Sequence, residues 1–379
     1  MKKGWQTKTL GDICEMYQPK TISGKDMVED GPYPVYGANG VIGRYNQFNH
    51  EEPQLLITCR GATCGSVNIS APRSWVTGNA MVVRPKSKSL EMRYLEYLFR
   101  GGIDISKAIT GAAQPQITRT NLEPLEISFP ESLDEQQRIV GLLDEAFEGL
   151  ATAKANAEKN LQDARSLFES HLQSVFSKRG PGWVEKSLEE LGTITSSKRI
   201  FKSEYVESGV PFYRTKEIKQ LANGRDITTE LFISEARYKE IKTGFGVPKE
   251  GDILLTAIGT IGEIWVVEGD NNFYFKDGNV LWLKEFTSIN PGFLRYVLVS
   301  FVESLNKMAH GSAYSALPIQ RLNAHRIFLP SPAEQEVIVA TLDSLDEETQ
   351  RLARLYERKL AALEALKRSL LHQAFSGEL

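Results

Sequence analysis

The stretch "GAAQPQITRTNLEPLEISFP" at residues 111–130 is echoed by "GSAYSALPIQRLNAHRIFLP" at residues 311–330. In both passages glycine comes first, alanine follows two residues later, isoleucine stands three residues before the end, and proline closes the passage. Two such passages at this separation indicate that one structural unit occurs twice in the chain.

The similarity between the two halves of the chain extends well beyond these two passages. A period near two hundred residues is far longer than the roughly 20 to 50 residues of solenoid repeats, so the sequence predicts a duplicated domain rather than an array. The further matching pairs are "LLITCRGATCGSV" (55–67) with "DILLTAIGTIGEI" (252–264), "TGNAMVVRP" (77–85) with "DGNVLWLKE" (277–285), and "DEQQRIVGLLDE" (134–145) with "AEQEVIVATLDS" (333–344).

Each copy begins with a glycine- and aromatic-rich stretch that carries short β-branched runs bounded by turn residues. This pattern is typical of strands in a compact domain. We therefore expect an α/β (α+β) fold with two similar strand-rich domains and two long helices, arranged as a pseudo-twofold internal repeat. The predicted boundaries are a first domain at 1–132, a central helix at 133–178, a second domain at 179–331 and a C-terminal helix at 332–379.

Both helical segments carry one apolar stripe. From Leu133 to Phe176 there is no proline, and apolar residues recur in steps of three or four, which indicates an amphipathic helix with one apolar face. A helix of about 44 residues is roughly 65 Å long, too long to be covered by its own small domain. The stripe residues that we expect in the contact are Ile139, Leu143, Leu150, Leu161 and Leu172 in the first helix and Ile338, Leu342, Leu352, Leu363 and Leu370 in the second.

The matching stripe in the chain is the other helix. We therefore predict an antiparallel intramolecular coiled coil, since each helix follows its own copy of a repeated domain. The alternative is that each helix packs as a long core helix on its own domain.

Composition is that of an ordinary globular protein. Of 379 residues, 41% are hydrophobic and 25% are charged, with a net charge of −3. The start has no signal-peptide pattern and no run of eighteen apolar residues occurs, so we expect a cytoplasmic protein without membrane contact. The three cysteines, with His50 near Cys59 and Cys64, are more typical of buried thiols than of a zinc site.

Charge is segregated along the chain in a way that favours DNA binding. No acidic residue occurs between Glu52 and Glu91, between Asp104 and Glu123, or between Glu303 and Glu334. Lysine and arginine neutralise phosphates, while arginine reads guanine and glutamine or asparagine reads adenine. Solvated loops would give the same pattern. The candidate DNA-binding residues are Tyr36, Asn39, Arg44, Arg60, Arg73, Lys107, Gln114, Gln116, Arg119, Lys198, Arg199, Arg214, Lys216, Lys307, Tyr314, Gln320 and Arg321.

Known catalytic motifs are absent from the sequence. It has no phosphate-binding loop with its lysine, no nucleophile elbow and no H-E-x-x-H, and the five histidines are scattered. The tetrapeptide with which amino-methylating enzymes hold a flipped base is also missing. We predict no catalytic residues and no metal site in this chain.

The two domains, each followed by a long helix, resemble the specificity subunit of type I restriction-modification systems. The resemblance covers essentially the whole chain. The head of the second helix reads "EQEVIV" where the first reads "EQQRIV", a small departure from the pattern. The most specific residues are Pro130, Glu135, Gln136, Ile139 and Val140, matched by Pro330, Glu334, Gln335, Ile338 and Val339.

The resemblance implies a set of roles and partners. Each variable domain would be a target recognition domain that reads one half of a split double-stranded DNA sequence, and the paired helices would set the spacing. The helices would also dock two methyltransferase subunits, which bind S-adenosylmethionine and methylate adenine. Restriction and translocase subunits, which use ATP and Mg, would complete the complex, and this chain itself would hold no cofactor.

Two other functions are compatible with the residues alone. The chain could be a non-catalytic protein-binding scaffold with twin domains on a coiled coil, or an enzyme with an unrecognised site. A steeply salt-dependent DNA affinity would exclude the scaffold. Methyl transfer by the isolated chain would support the enzyme.

Overall fold

A computed structural model of the protein describes residues 4–111, 113–178, 180–259, 261–308 and 316–379, without the side chains of 304–308. The chain divides into two compact units. The first contains Met1–Lys159 and Tyr356–Leu379, and the second contains Asn160–Leu355. Each unit therefore holds one strand-rich domain together with a segment of each long helix.

The first domain consists of short strands and short helices, followed by the first long helix. Its strands are β1 (Trp5–Thr9), β2 (Cys14–Tyr17), β3 (Tyr33–Gly37), β4 (Gly40–Tyr45), β5 (Leu55–Thr58), β6 (Val67–Ile69), β7 (Trp75–Val76), β8 (Ala80–Pro85), β9 (Ile109–Thr110), β10 (Gln116–Ile117) and β11 (Glu126–Pro130). Its helices are α1 (Leu10–Ile13), α2 (Met92–Tyr97), α3 (Arg119–Leu122) and α4 (Leu133–Ser177).

The second domain follows the same plan with additional helices. Its strands are β12 (Val184–Ser187), β13 (Thr193–Ser196), β14 (Tyr205–Val206), β15 (Val210–Tyr213), β16 (Phe232–Ile233), β17 (Ile253–Thr256), β18 (Ile264–Val266), β19 (Tyr274–Phe275), β20 (Val280–Lys284) and β21 (Arg326–Leu329). Its helices are α5 (Thr215–Ala222), α6 (Glu235–Gly244), α7 (Pro291–Met308), α8 (Ile319–Asn323) and α9 (Pro332–Ser376).

The larger sheets of the two domains correspond strand for strand, and the smaller sheet of the second domain has one additional strand, β14. The first domain has an antiparallel sheet in the order β2-β8-β5-β6 and a smaller sheet β4-β3-β7, in which β3 and β7 are parallel. The second domain has β13-β20-β17-β18 and β14-β16-β15-β19, with β15 and β19 parallel. In both domains the first and last strands pair with each other, β1 with β11 and β12 with β21. The predicted α+β duplication is therefore confirmed.

The central strands are apolar along their whole length because both of their faces are covered. Leu55 and Ile57 belong to the core beneath the helices, whereas Leu56 packs with Val76 in the core between the two sheets. Side chains alternate between the faces of a strand, so a strand that is buried on both faces needs a continuous apolar run. The counterpart β17 divides its side chains between two cores in the same way.

A buried glutamine joins the first domain to α4. Gln136 is fully buried, and its side-chain amide donates to the backbone carbonyls of Ser89 and Pro130, both at 2.9 Å. Its Oε1 accepts the backbone N–H of Glu91 at 2.8 Å. A buried amide needs such partners, so these bonds hold the start of α4 against the domain.

The second joint repeats the first. The amide of Gln335 donates to the carbonyls of Ser288 at 3.2 Å and Pro330 at 3.0 Å, and its Oε1 accepts the N–H of Asn290 at 2.7 Å. Helix α9 begins with a proline at its first position, where the missing N–H costs nothing. The quoted passages thus end in the same joint.

In the first unit the long helices run antiparallel and touch. Arg138 of α4 donates to the backbone oxygen of Leu379 at 3.0 Å, and further along α4 Lys154 lies 2.9 Å from Glu364 of α9. Contact positions advance along one helix while they recede along the other, which is the antiparallel arrangement. Helix α2 packs on both, because Tyr94 lies in one core with Ile139 and Leu371.

In the second unit the other helical segments also pack together. Leu172 of α4 and Leu342 of α9 are fully buried in one cluster with Tyr296 of α7. The ring of Phe176 meets that of Phe293 edge to face, with centroids 5.4 Å apart. The long helices thus contact each other as well as a domain in each unit, and the alternative of two separate core helices is wrong.

The stripe residues vary in burial. Leu355 and Leu366, which continue the apolar spacing of α9, are 45% and 47% exposed, so the apolar stripe is wider than the contact. Ile139, Leu143, Leu172 and Leu342 are buried, and Leu150, Leu161, Ile338, Leu352, Leu363 and Leu370 are half-buried.

Candidate nucleic-acid interface

In the first domain the repeated passage lies against the carboxyl end of β5. The N–H of Ile117 donates to the carbonyl of Cys59 at 2.9 Å, and Arg60 and Gln116 form an isolated antiparallel bridge. Both Arg60 and Gln116 are exposed. The fold therefore brings together a cation and an amide that are more than fifty residues apart in the sequence.

The turn between β3 and β4 lies beside this site. The Thr58 hydroxyl at the end of β5 donates to the carbonyl of Ala38, and the Asn68 amide donates to Asn39 Oδ1 at 3.4 Å. We name the exposed group Asn39, Arg60, Gln114 and Gln116 the first sheet-end surface.

A glycine shapes the loop that carries Gln114. Gly111 has φ +85°, and a Cβ there would lie 2.5 Å from the Gln114 carbonyl. A side chain is therefore excluded on both conformational and steric grounds. This explains the glycine at the start of the first quoted passage.

The second domain repeats the backbone geometry with different side chains. The N–H of Leu317 donates to the carbonyl of Ala257 at 2.9 Å, and Ile258 and Ala316 form the bridge. Gln320 and Arg321 follow on α8 and are exposed. The same backbone site thus carries arginine and glutamine in one domain and apolar residues in the other.

Most candidate cations lie next to carboxylates that the fold brings to them. Some partners, such as Asp277, come from distant parts of the chain, and others, such as Asp104 and Glu123, lie three or four residues from the cation. Where both side chains are exposed, such a pair contributes at most about 1 kcal/mol and leaves the cation able to exchange the carboxylate for a phosphate, whereas Asp277 and Glu217 are largely buried. The pairs are Arg73 with Glu51 (3.9 Å), Lys107 with Asp104 (3.8 Å), Arg119 with Glu123 (2.6 Å), Arg199 with Asp277 (2.8 Å), Lys216 with Glu230 (2.7 Å), and Arg214 with both Glu217 (2.9 Å) and Glu230 (2.8 Å).

Arg214 is the most tightly held of these cations. It precedes α5, and its guanidinium binds the buried carboxylate of Glu217 and then Glu230. The hydrogen bonds that Arg214 donates to the carboxylates of Glu217 and Glu230 raise the pKa of Arg214 above its usual value. Its described contacts therefore stabilise the start of α5.

Tyr36 and Arg44 also make contacts within the domain. The half-buried Tyr36 hydroxyl accepts the N–H of Ala71 at 2.9 Å. Arg44 donates to the carbonyls of Gly31 and Pro32, the latter at 2.9 Å. These bonds fix loops of the domain, and a role of either side chain toward DNA stays a prediction.

The exposed aromatic residue Phe245 lies beside Lys198, a contact that the sequence does not predict. The Lys198 ammonium lies 3.9 Å from the centroid of the Phe245 ring, which is 54% exposed. Such a cation–π pair holds the lysine in place. The pattern of residues around Phe245 has no nucleic-acid signature, and only the fold shows the pair. Tyr314 and the Lys307 side chain lie outside the described residues.

Cys14, Cys59 and His50 are buried in the first domain, and Cys64 is half-buried. Burial raises the pKa of Cys14 to about 12 and also raises that of Cys59. His50 Nε2 lies 2.8 Å from the Tyr17 hydroxyl, and burial lowers the His50 pKa. Within the described ranges, no three His, Cys, Asp or Glu side chains are grouped as metal ligands, and no helix has the length and apolar character to span a membrane.

The family model of the type I restriction modification DNA specificity domain matches residues 2–160 and again 181–358. Each match covers one strand-rich domain and continues into the helix that follows it. The two matches repeat the internal duplication seen in the structure.

Individual relatives agree with the family match. The chain is 26% identical over 330 residues to a putative type I restriction enzyme specificity subunit of Haemophilus influenzae, which covers 85% of this chain and 82% of the relative. It is 20% identical over 350 residues to a putative type I specificity subunit of Mycoplasma pneumoniae, covering 90% and 89%.

Two solved structures share the fold. One comes from work on complex assembly and conformational transition of the type I R-M system, with a TM-score of 0.77, 19% identity, and coverage of 100% of this chain and 99% of the other. The other is the HsdS subunit of Thermoanaerobacter tengcongensis, with a TM-score of 0.61, 20% identity, and coverage of 100% and 98%.

Proposed function

This chain belongs to the type I restriction modification DNA specificity family, and we propose that each of its two domains reads one half of a bipartite double-stranded DNA target. The observation that carries the proposal is the duplicated domain with a duplicated joint. Gln136 and Gln335 bind their own domains through equivalent backbone groups. The chain thus carries two recognition domains of the same kind, and each is attached to a long helix in the same way.

The sheet ends are the proposed reading surfaces. In the first domain, Arg60 and Gln116 are exposed bridge partners at the end of β5. Arginine binds guanine through two hydrogen bonds, and glutamine binds adenine in the same way. Because Ile258 and Ala316 occupy the equivalent bridge, the two domains would read different half-sites, and the target would be asymmetric.

The helices α4 and α9 would set the separation between the half-sites. Each contains 45 residues, which corresponds to about 68 Å of helix. Two reading heads must meet the groove on compatible faces, so their separation has to match a defined number of base pairs. Helices that support each other keep such a separation constant.

The chain would act through partners rather than by its own catalysis. We propose that two methyltransferase subunits dock on the helices, bind S-adenosylmethionine and methylate adenine within the target. Restriction and translocase subunits that use ATP and Mg would join them. Exposed stripe residues such as Leu355 and Leu366 support docking, because apolar side chains on a helix need cover.

Methylome sequencing tests this function directly. A host that carries the complete system, and the same host without this chain, are sequenced for methylated adenine. The expected result is a two-part motif with a fixed gap that disappears when the chain is deleted. A continuous motif, or a motif that persists after deletion, would overturn the proposal.

A length change in the helices provides a second test. Equal insertions of one helical turn in α4 and α9 preserve the stripe and lengthen the spacer. The expected result is a longer gap with unchanged half-sites. An unchanged gap in an assembled, active complex would contradict the role of the helices.

A further inference from the structure

The twin domains differ in the connection between two equivalent strands. In the first domain β3 joins β4 through the two-residue turn 38–39. In the second domain β15 joins its antiparallel partner β16 through residues 214–231, which contain α5. The flanking strands pair in the same order, so this connection is a replacement within a shared scaffold.

The two connections leave their sheets at the same place. The carbonyl of Tyr36 accepts the N–H of Thr77, and the carbonyl of Tyr213 accepts the N–H of Lys276, both at 2.9 Å. At its far end, α5 meets the carboxyl end of β17 through Glu263, whose N–H donates to the Thr256 hydroxyl. Helix α5 therefore lies at the same end of its domain as the turn that carries Asn39.

One face of α5 is polar and basic, and the opposite face is buried. Ile218 is fully buried in the domain core. The opposite face and the residue just beyond it line an open cleft of about 410 Å³ that contains Thr215, Lys216, Lys219, Gln220, Asn223 and Arg225. We name Lys216, Lys219, Gln220 and Asn223, which follow a spacing of three or four residues, together with Arg225, the α5 face.

The α5 face has the chemistry of a base-reading surface. Lys216 pairs with the exposed Glu230 at 2.7 Å and Lys219 with the half-buried Glu263 at 2.9 Å; both lysines are exposed and can exchange these partners for phosphates. Within the described residues, the Gln220 side-chain amide has no hydrogen-bond partner and stays available. The Asn223 amide already donates to the Lys219 carbonyl and to Glu263.

We propose that α5 enters the major groove at the second half-site, with Gln220 reading one base pair and Lys216, Lys219 and Arg225 binding the flanking phosphates. This inference rests on the proposed DNA-reading function. Eight helical residues span about 12 Å, the width of the major groove, and a glutamine amide pairs best with adenine. The first domain would read through its sheet-end surface, because it has a turn where the second has a helix.

The test uses the full chain assembled with its methyltransferase subunits. Gln220→Ala removes the reading amide, and Lys219→Gln removes one phosphate contact. Lys239→Gln, at an exposed lysine of α6, is the matched control for lost charge. For each variant, the methylated motif is sequenced and the DNA affinity is measured as a function of salt concentration.

We expect Gln220→Ala to reduce the preference at one base pair by roughly 5- to 150-fold, within one half-site only. Lys219→Gln should leave the motif intact and lower the slope of log affinity against log salt by about one, while Lys239→Gln changes neither. Unchanged motif and affinity in both variants would overturn the inference. Loss of assembly without a change in DNA binding would also overturn it, because α5 would then bind a protein.

The experiments distinguish an error in the proposed function from an error in the role proposed for α5. If the wild-type complex produced no two-part motif, the proposed function itself would fail, and the inference with it. If the wild-type motif is bipartite and Gln220→Ala leaves it unchanged, only the role of α5 is wrong. Thermal unfolding of each variant shows that any change in the motif does not arise from misfolding.

Discussion

The side-chain Oε1 of Gln136, on the first turn of α4, accepts the backbone N–H of Glu91 at the residue just before α2, at 2.8 Å. The same glutamine amide binds the last residue of β11, Pro130. One buried side chain thus joins the final strand, the first domain's helix and the long helix. These bonds make the joint rigid, so they fix the orientation of the domain relative to the start of α4.

We expect Gln136→Leu to destabilise the first unit by about 2 kcal/mol, because it leaves the buried carbonyl of Pro130 without its partner and breaks two part-buried hydrogen bonds, with the Glu91 N–H and the Ser89 carbonyl. The change is measured by chemical denaturation. Gln137→Leu, at the exposed neighbouring position, is the control and should change stability by less than about 0.5 kcal/mol. Equal effects of the two substitutions would contradict the role of the joint.

A buried tyrosine of the first unit has a hydroxyl without a described hydrogen-bond partner, and the equivalent residue of the second domain has no hydroxyl. Tyr94 is fully buried, and its hydroxyl has no partner within the described residues, while Phe293 occupies the equivalent position in α7. An unsatisfied buried hydroxyl is unfavourable, so Tyr94→Phe should raise the free energy of unfolding by about 1 kcal/mol. Thermal unfolding measures it.

Tyr97→Phe is the matched control for this prediction. The Tyr97 hydroxyl donates to Asp144 of α4, as the Tyr296 hydroxyl donates to Asp343 of α9 at 2.6 Å. Its loss should destabilise by about 1 to 2 kcal/mol. A lower melting temperature for Tyr94→Phe would mean that the hydroxyl is satisfied in solution.

Much of the architecture could be predicted from the sequence because its signals are local or repeated. The echo two hundred residues apart predicted the duplication, and the three- and four-residue spacing predicted the long helices and their pairing. The chemistry of the joint could not be predicted. Gln136 is prominent in the sequence, but its partner Ser89 lies 47 residues earlier and contributes only a backbone carbonyl.

The candidate interface was less predictable because tertiary contacts decide it. Arg199 stands in a basic stretch, yet Asp277 pairs with it from 78 residues away. Helix α5 has no counterpart in the first copy, so the comparison of repeats could not reveal it. An eight-residue helix also gives a weak periodic signal. Only the tertiary structure shows that α5 lies where the first domain has the turn between β3 and β4.

The contact between the long helices should depend on their buried leucines. Leu342 of α9 is fully buried against α4 and α7, so Leu342→Ala should cost about 2 to 5 kcal/mol through lost burial and a cavity. Leu366→Ala removes the same atoms from a side chain that is 47% exposed and should cost much less. Denaturation curves of both variants provide the comparison.

A larger loss of stability for Leu366→Ala than for Leu342→Ala would require a different helix contact from the one observed. The Leu366 variant has a second use. If methyltransferase subunits cover the exposed part of the stripe, Leu366→Ala should weaken assembly of the complex while leaving the isolated chain stable. Analytical ultracentrifugation of the mixed subunits measures that assembly.

Replacing Arg60, the cation of the first sheet-end surface, should affect recognition of one half-site only. It is exposed beside Gln116, whereas Arg84, near the other end of the same sheet, pairs with Glu15 at 2.7 Å. We expect Arg60→Gln to weaken binding by about 1 to 3 kcal/mol and to relax the motif in one half. Arg84→Gln removes the same charge at the other end and should leave the motif unchanged. Methylome sequencing of both variants decides, and equal losses in both half-sites would indicate a folding defect in place of a lost contact.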